Sequence, residues 1–219
     1  MFGAFNARQL TNATRRAPVG KVVRVINDYV NLSARERQGY EIGLQYRMPK
    51  LPLGQFTFKA EATRNTVRET QAQAGARPSY SLDRNGRPRW RANGTLSWRR
   101  EAWAAGWFTS YFGPYSDTSA ATTDVIYHAL GRPDYINVVN DAGTMRYWLR
   151  VEPVVMHNAY LAHQFRAGAP RWLRGVRARL GVNNVFDLEP PLADETYGYY
   201  GGSANVRGRQ ITLELSRTF

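Results

Sequence analysis

The chain alternates between apolar and polar side chains with a period of two, and the cleanest run covers residues 39–48. The apolar parity holds Tyr40, Ile42, Leu44, Tyr46 and Met48, and the other parity holds Gly39, Glu41, Gly43, Gln45 and Arg47. A helix would mix these side chains around its surface, whereas a strand separates them onto two faces. The run therefore predicts a β-strand with one apolar and one polar face.

The same alternation continues along the rest of the chain. Four further runs are clear, two are less regular, and one near the start is short: residues 56–63, 90–99, 176–183 and 210–219, then 103–115 and 148–165, then 22–30. Within 148–165, Pro153 marks either a bulge or a late start, because proline cannot donate to a sheet ladder. These runs predict seven strands, and residues 22–30 either form an eighth or continue into the strand that contains Gly39.

The connections between the runs alternate in length. Short ones lie at 49–54, 99–102 and 166–172, and long polar ones lie at 66–87, 117–144 and 187–206. Outer-membrane barrels have short periplasmic turns and long extracellular loops. The sequence therefore predicts an all-β fold, an antiparallel up-and-down transmembrane β-barrel segment of about seven or eight strands that does not form a complete barrel.

Two tryptophans bracket the apolar parity of the 90–99 run. Trp90 and Trp98 are eight residues apart, about 26 Å along a strand, which is close to the ~25 Å apolar band between the aromatic girdles of such barrels. We interpret both as girdle residues; the alternative is that they cap a strand of a soluble sandwich. The phase of 103–115 is ambiguous, and we favour the face of Trp103 and Trp107 as the one that meets lipid.

Composition agrees with strands that have two different environments. Aromatic residues make up 13% of the chain while its mean hydropathy is −0.51. No run of eighteen apolar residues is present, as a transmembrane helix would require. Residues 1–16 lack the pattern of a signal peptide, although a barrel must first cross the inner membrane. We therefore expect the natural amino terminus to lie upstream of Met1.

The net charge of +13 raises nucleic acid as a partner. The arginines, however, are spread at strand spacing, which favours a solvated or lumen-facing set. We predict no nucleic-acid partner; a soluble, basic, nucleic-acid-binding β-protein remains the alternative. The candidate lumen-facing residues are Glu41, Arg47, Lys59, Glu61, Arg91, Arg99, Arg177 and Arg179. The arginines among them would favour an anionic ligand.

Catalytic and metal chemistry is sparse. Cysteine is absent, which excludes disulfides, thiolate nucleophiles and Cys-based zinc sites. The three histidines are His128, His157 and His163, and the last two lie roughly 20 Å apart along one strand, too far to share a metal. No phosphate-binding loop, dinucleotide, metalloprotease or nucleophile-elbow motif is present. The sequence predicts no enzyme, no cofactor and no metal site.

Three motifs resemble a known family. Residues 180–191 read LGVNNVFDLEPP. This segment resembles the GVNNLFD sequence that ends the penultimate strand of TonB-dependent receptors, and the residues that match it include Gly181, Asn183, Asn184, Phe186 and Asp187. The segment from Asn31 to Gly39-Tyr40-Glu41 is similar to an earlier barrel strand of that family, and Gly208-Arg209 leads into a similar terminal strand. By this resemblance, residues 21–219 are the carboxy-terminal part of a receptor barrel and residues 1–20 are an unassigned leading segment.

The resemblance implies a location and partners. Such receptors lie in the outer membrane of Gram-negative bacteria, in contact with the lipid bilayer, and take up ligands of the siderophore, cobalamin or glycan class. They hold a plug domain inside a larger barrel and reach the TonB complex through an amino-terminal box, neither of which is in this sequence. The inward arginines could also pair with plug carboxylates. A self-contained small barrel of about eight strands, an adhesin or an enzyme, is the alternative.

The carboxy-terminal strand resembles the signal read by the barrel assembly machinery. Ile211, Leu213 and Leu215 alternate with polar residues and the chain ends at Phe219. Pairing of this strand by β-augmentation is the physical route to recognition. Arg217 departs from the family pattern, in which an aromatic or apolar residue is usual at that position.

Overall fold

The computed structural model describes residues 34–72, 75–118, 122–141, 143–194, 198–202 and 206–217. The predicted leading segment 1–20, the predicted strand 22–30, Asn31 and Phe219 lie outside this part. The elements are β1 Ala34–Arg47, β2 Gln55–Gln71, β3 Ser79–Tyr80, β4 Trp90–Arg100, β5 Trp103–Phe112, β6 Tyr115–Thr118, α1 Asp124–Ala129, β7 Ile136–Asp141, β8 Thr144–Val151, β9 Val154–Gln164, β10 Val176–Asn183 and β11 Gln210–Arg217.

Seven of these strands form one antiparallel sheet in up-and-down order. The order is β1-β2-β4-β5-β9-β10-β11, and the two-residue strand β3 pairs with β2. The sheet does not close into a barrel. A second, three-stranded sheet has the order β6-β8-β7. The predicted antiparallel, incomplete barrel segment is confirmed.

The pairing register keeps the apolar parity of all seven strands on one face. One lateral row crosses the whole sheet through Tyr46, Phe58, Leu96, Trp107, Ala159, Val182 and Ile211. The adjacent row crosses it through Arg47, Thr57, Ser97, Gly106, Tyr160, Gly181 and Thr212. We call the faces of these two rows the apolar face and the polar face.

The apolar face is exposed, and Arg64 and Arg100 on this face lie level with the two ends of β4. Ile42 and Leu213 are 68% and 69% exposed, so no filled core covers this face. The Arg64 guanidinium lies 5.4 Å from the centre of the Trp90 ring, and Arg100 pairs with Trp103. A continuous apolar surface of seven strands far exceeds the patches that soluble monomers expose. It is the surface expected of a sheet that contacts hydrocarbon, with long cationic side chains reaching the interface.

The structure shows which face of the strand predicted at 103–115 is the apolar one. Trp103 pairs with His163, Trp107 with Ala159 and Tyr111 with Val155, all on the apolar face. Phe108 and Phe112 belong to the polar face by the same register. The preference for the tryptophan face as the apolar one is therefore confirmed.

The connections alternate as predicted. Residues 48–54, 101–102 and 165–175 make the short ones, and residues 72–89, 113–153 and 184–209 make the long ones. In the first short turn, Gly54 has φ +115°, and a Cβ there would lie 2.6 Å from the Arg99 carbonyl oxygen. Trp98 Nε1 donates to the Leu53 carbonyl at 2.7 Å, so this tryptophan, which the sequence predicts as a girdle residue, holds the turn.

Two of the predicted strands are wrong in extent because proline interrupts them. The 103–115 run ends at Phe112 and the chain resumes beyond Pro114 as β6; the 148–165 run breaks at Pro153 between β8 and β9. Proline supplies no backbone N–H to a ladder. At both breaks the chain passes between the seven-stranded sheet and the small one. Of the two readings of Pro153, the late start is correct for β9.

Two of the segments that the sequence predicts as long connections contain strands and a helix. The 66–87 segment contains the end of β2 and the strand β3, and the 117–144 segment contains α1 and β7. The Tyr147 hydroxyl on β8 donates to Asp124 Oδ1 at 2.7 Å, which fixes α1 to the small sheet. Within the described residues, no helix is long and apolar enough to cross a bilayer.

The two faces can be told apart by placing the same charge on each. Leu96→Arg puts a cation at mid-strand on the apolar face, which disfavours insertion by about 2–4 kcal/mol at the bilayer midplane. Asn93→Arg, the control, puts it on the polar face beside Glu61. We expect heat-modifiable barrel in the outer-membrane fraction to fall several-fold for Leu96→Arg only. Equal assembly of the two variants would contradict the assignment of the faces.

Candidate functional site

The register places all eight candidate ligand-contact residues on the polar face. Glu41 lies in one row with Arg91, Glu61 pairs with Gly43, and Lys59 lies in one row with Thr95. Arg47, Arg99, Arg177 and Arg179 follow the same parity. That this face lines a lumen, and that these residues contact a ligand, remain predictions.

These residues share a face without forming one cluster. Arg47 Nη2 donates to Gln55 Oε1 at 2.7 Å, and Asn93 Nδ2 donates to Glu61 Oε2 at 3.4 Å. Among the described residues, no ion pair joins any two of the eight. The polar face is therefore a charged lining with separate contacts, and its charges remain accessible to whatever lies against it.

One cavity of about 390 Å³ opens on the polar face where β5, β9, β10 and β11 meet. The Arg179 guanidinium lies 4.4 Å from the centre of the Tyr160 ring and 3.8 Å from Glu214 Oε2. Gly106 lies beneath this ring, and a Cβ there would overlap it. The small residue thus lets Tyr160 lie flat as a platform for the cation. Tyr160 and Glu214 are absent from the sequence-based candidate set.

Phe112, an apolar residue on the polar face, is explained by the long connections that pack against it. Phe112 is buried in a small core with Tyr115, Val151, Val154 and Ala193. Tyr200 from the β10–β11 connection packs on the Phe112 ring, with centroids 5.7 Å apart. The long connections therefore fold over this end of the polar face and replace water there.

The family-type motif after β10 builds the turn that starts this cover. Asn184 is buried and has φ +52°. Its Oδ1 accepts from the Leu188 backbone N–H at 2.8 Å, and its Nδ2 donates to the Leu188 carbonyl at 2.9 Å. Asp187 Oδ1 accepts from the Arg209 backbone N–H at 2.6 Å. The two side chains thus tie together the beginning and the end of the connection.

The other motif residues have different surroundings. Phe186 is exposed and lies 6.0 Å from Trp107 and 5.1 Å from His157, measured between ring centroids. Gly181 lies opposite Thr212, and Asn183 ends β10. At the short-connection end, His163 packs on Trp103 at 4.2 Å. The Trp103–His163 pair at the short-connection end, with Trp90 and Trp98 near the two ends of β4, fits the predicted girdles, whereas Trp107 lies in mid-strand opposite Leu96.

The proposed assembly strand forms the edge of the sheet. Ile211, Leu213 and Leu215 pair with Val182, Leu180 and Ala178, all on the apolar face. Arg217 pairs with Val176 at the end of the strand. Phe219 lies outside the described residues, so the end of the signal stays a prediction.

Four arginines that the sequence did not single out meet at the long-connection end of the polar face. Arg35 and Arg37 on β1, Arg68 on β2 and Arg87 before β4 line a cavity of about 350 Å³. The parity of Arg35 and Arg37 could have indicated two of them. Arg68 could not be found this way, because a β-bulge between Gln38 and Gly39 shifts the parity of β2.

The described residues contain no group of three or more His, Asp or Glu side chains that could hold a metal ion. The comparison with family models gives one result: the family described as TonB dependent receptor-like, beta-barrel matches residues 5–185. Comparison with curated proteins and with solved structures gave no match.

The Asn184 turn can be tested by substitution. Asn184→Ala removes two side-chain hydrogen bonds at about 1 kcal/mol each and leaves a less suitable residue at positive φ. We expect a loss of about 2–3 kcal/mol, seen as faster proteolysis in the 184–209 connection. Asn183→Ala, exposed on β10, should change cleavage little. Equal protection of both variants would show that the motif does not organise this connection.

Proposed function

The chain belongs to the TonB-dependent receptor β-barrel family, a family of outer-membrane receptors and transporters, and on this premise we propose its specific role. It forms the carboxy-terminal part of a receptor barrel that takes up a ligand of the siderophore, cobalamin or glycan class. Uptake is driven through contact between the receptor and the TonB complex.

The observation that supports this role most is the constant register of seven strands. It gives one exposed apolar face and one polar face without a break between β1 and β11. In lipid every backbone group must be paired, so spanning sheets close into barrels. A sheet of this kind needs further strands against both edges, which a larger receptor barrel supplies.

The polar face is the proposed lumen wall. Several of its cations, Arg99 and Arg177 among them, have no side-chain partner among the described residues. Charges without partners are favourable where they meet water, a ligand or opposite charges on another domain. In a plugged barrel they would meet the plug or the transported ligand.

The alternatives are less well supported. A self-contained small barrel would require the sheet to close on itself, and the sheet of described strands does not close. A soluble nucleic-acid-binding protein would bury large apolar side chains, whereas Leu44, Leu96 and Leu213 are exposed on one face. The soluble alternative also does not account for short and long connections that segregate to opposite ends of the strands.

Transport is tested with the receptor as its own genome encodes it. A strain lacking the gene should lose uptake of one labelled ligand among ferric siderophores, cobalamin and oligosaccharides. The same uptake should disappear when TonB is deleted, because the family couples transport to that complex. Uptake that needs the gene but persists without TonB would contradict the coupled mechanism.

Assembly is tested on the terminal strand. Leu213→Arg places a charge on the lipid-contacting face and should strongly reduce heat-modifiable barrel; at the interface a charge such as Arg217 disfavours insertion by only about 0–1 kcal/mol. Removing Phe219 should also reduce assembly, because the barrel assembly machinery is proposed to read the strand's end. Arg217→Tyr, which restores the family pattern, should assemble as well as the parent or better. Wild-type assembly of Leu213→Arg would show that β11 does not span lipid.

A further inference from the structure

The strongest unassigned feature is the arginine cluster formed by Arg35, Arg37, Arg68 and Arg87. It lies beyond the Trp90 girdle position, because Arg64 pairs with Trp90 and Arg68 is four residues further along β2, about 13 Å. The register places the cluster on the polar face of the sheet, where Arg35 pairs with Thr70 and Arg37 pairs with Arg68. The cluster therefore stands at the long-connection mouth of the proposed lumen.

The bulge in β2 creates this cluster. Without it, the parity of the 56–64 run would turn Arg68 to the apolar face. Because the register shifts between Gln38 and Gly39, Arg37 pairs with Arg68 instead of with a residue of the other parity. Two guanidinium groups are thus brought side by side on adjacent strands, where like charges directly opposite each other are destabilising.

No acidic side chain compensates the cluster within the described residues. Glu36 and Glu69 pair with each other on the opposite parity. Asp83, which lies on the same turn as Arg87, is taken by Arg89, with Asp83 Oδ2 3.0 Å from Arg89 Nη2. The four guanidinium groups therefore remain free to donate hydrogen bonds into the cavity.

The electrostatics of Arg68 reflect this arrangement. Partial burial, followed by the charges of Arg37, Arg87, Arg91 and Arg35, lowers the pKa of Arg68 below its ordinary value. A cation that is disfavoured by its own neighbours is stabilised by an anion that binds among them. Hydroxyl groups of Thr70 and Ser79 also line the cavity and can donate to oxyanion oxygens, whereas the Ser81 hydroxyl donates to the Arg68 carbonyl at 3.4 Å.

We propose that this cavity binds an oxyanion group, phosphate or carboxylate, of a soluble ligand that carries at least two negative charges. Several guanidinium forks converging on about 350 Å³ match the geometry of such groups. The site lies on the polar face, so lipid phosphates outside the barrel do not reach it. The proposal refines the proposed function, because it assigns an acidic ligand class to the receptor's outer mouth.

The test measures binding without transport, so that its failure and the failure of the uptake proposal can be told apart. The detergent-purified receptor, as its genome encodes it, is titrated with pyrophosphate and with propane-1,2,3-tricarboxylate at constant ionic strength. At least one of them should bind and raise the melting temperature. The double variant Arg37→Gln/Arg68→Gln should bind at least tenfold more weakly.

Control variants distinguish specific anion binding in this cavity from non-specific attraction of anions to the net positive charge of the protein. Arg171→Gln removes one positive charge in the β9–β10 connection and should bind as the parent does. Arg68→Lys keeps the charge but loses the planar fork, and should bind several-fold more weakly. Without anion, the double variant should melt at the same temperature as the parent or higher, because it removes repulsion.

Several outcomes would overturn the proposal. These are the absence of binding of both anions to the parent, an anion affinity of the double variant equal to that of the parent, or an equal loss of affinity in Arg171→Gln. Lipopolysaccharide should bind to the parent and to the double variant equally. A selective loss of lipopolysaccharide binding would assign the arginines to the lipid instead.

Discussion

The constraint on which the rest of this structure depends is that seven strands keep one register of faces. Side chains alternate strictly along a strand, so a slip of one residue in any pair would exchange its two faces. The row from Tyr46 to Ile211 and the adjacent row from Arg47 to Thr212 cross the sheet without such a slip. Both the contact with lipid and the charged lining follow from this constancy.

The ends of the sheet show how the constraint is relaxed where the strands leave the apolar band. The bulge at Gln38/Gly39 lies beyond the row of Tyr40, Arg64 and Trp90. At the same end of the strands, Phe112 leaves the polar pattern because Tyr115, Ala193 and Tyr200 cover it. Departures from period two therefore collect at the long-connection end, which is where the proposed ligand site lies.

Much of the sheet was predictable from the sequence because alternation, turn composition and connection length all report on the same geometry. Except for Met48, which follows β1, the runs at 39–48, 90–99 and 176–183 lie in strands, and their apolar parities share a face. The 148–165 run misled because Val151 before Pro153 and Val154 after it are both apolar and buried. Hydrophobic pattern does not show which of two sheets a strand joins.

The site was less predictable, since its arrangement depends on pairing between distant residues. Parity placed Arg179 on the polar face, but its contacts with Tyr160 and Glu214 depend on the register of β9, β10 and β11. Asn184 and Asp187 were recognised by resemblance, and only the structure shows that they hold a turn. The pairing of Arg37 with Arg68 could not be predicted from the sequence, because it depends on the bulge.

The central claim is that the apolar face meets lipid and the polar face meets water. The chain contains no cysteine, so single cysteines can be introduced along β4 from Arg91 to Arg99 and spin-labelled in receptor reconstituted into bilayers. Collision with oxygen should peak at the even positions and collision with a water-soluble nickel complex at the odd ones. If the two accessibilities rise and fall together along the strand, the sheet does not separate lipid from water, and this account is wrong.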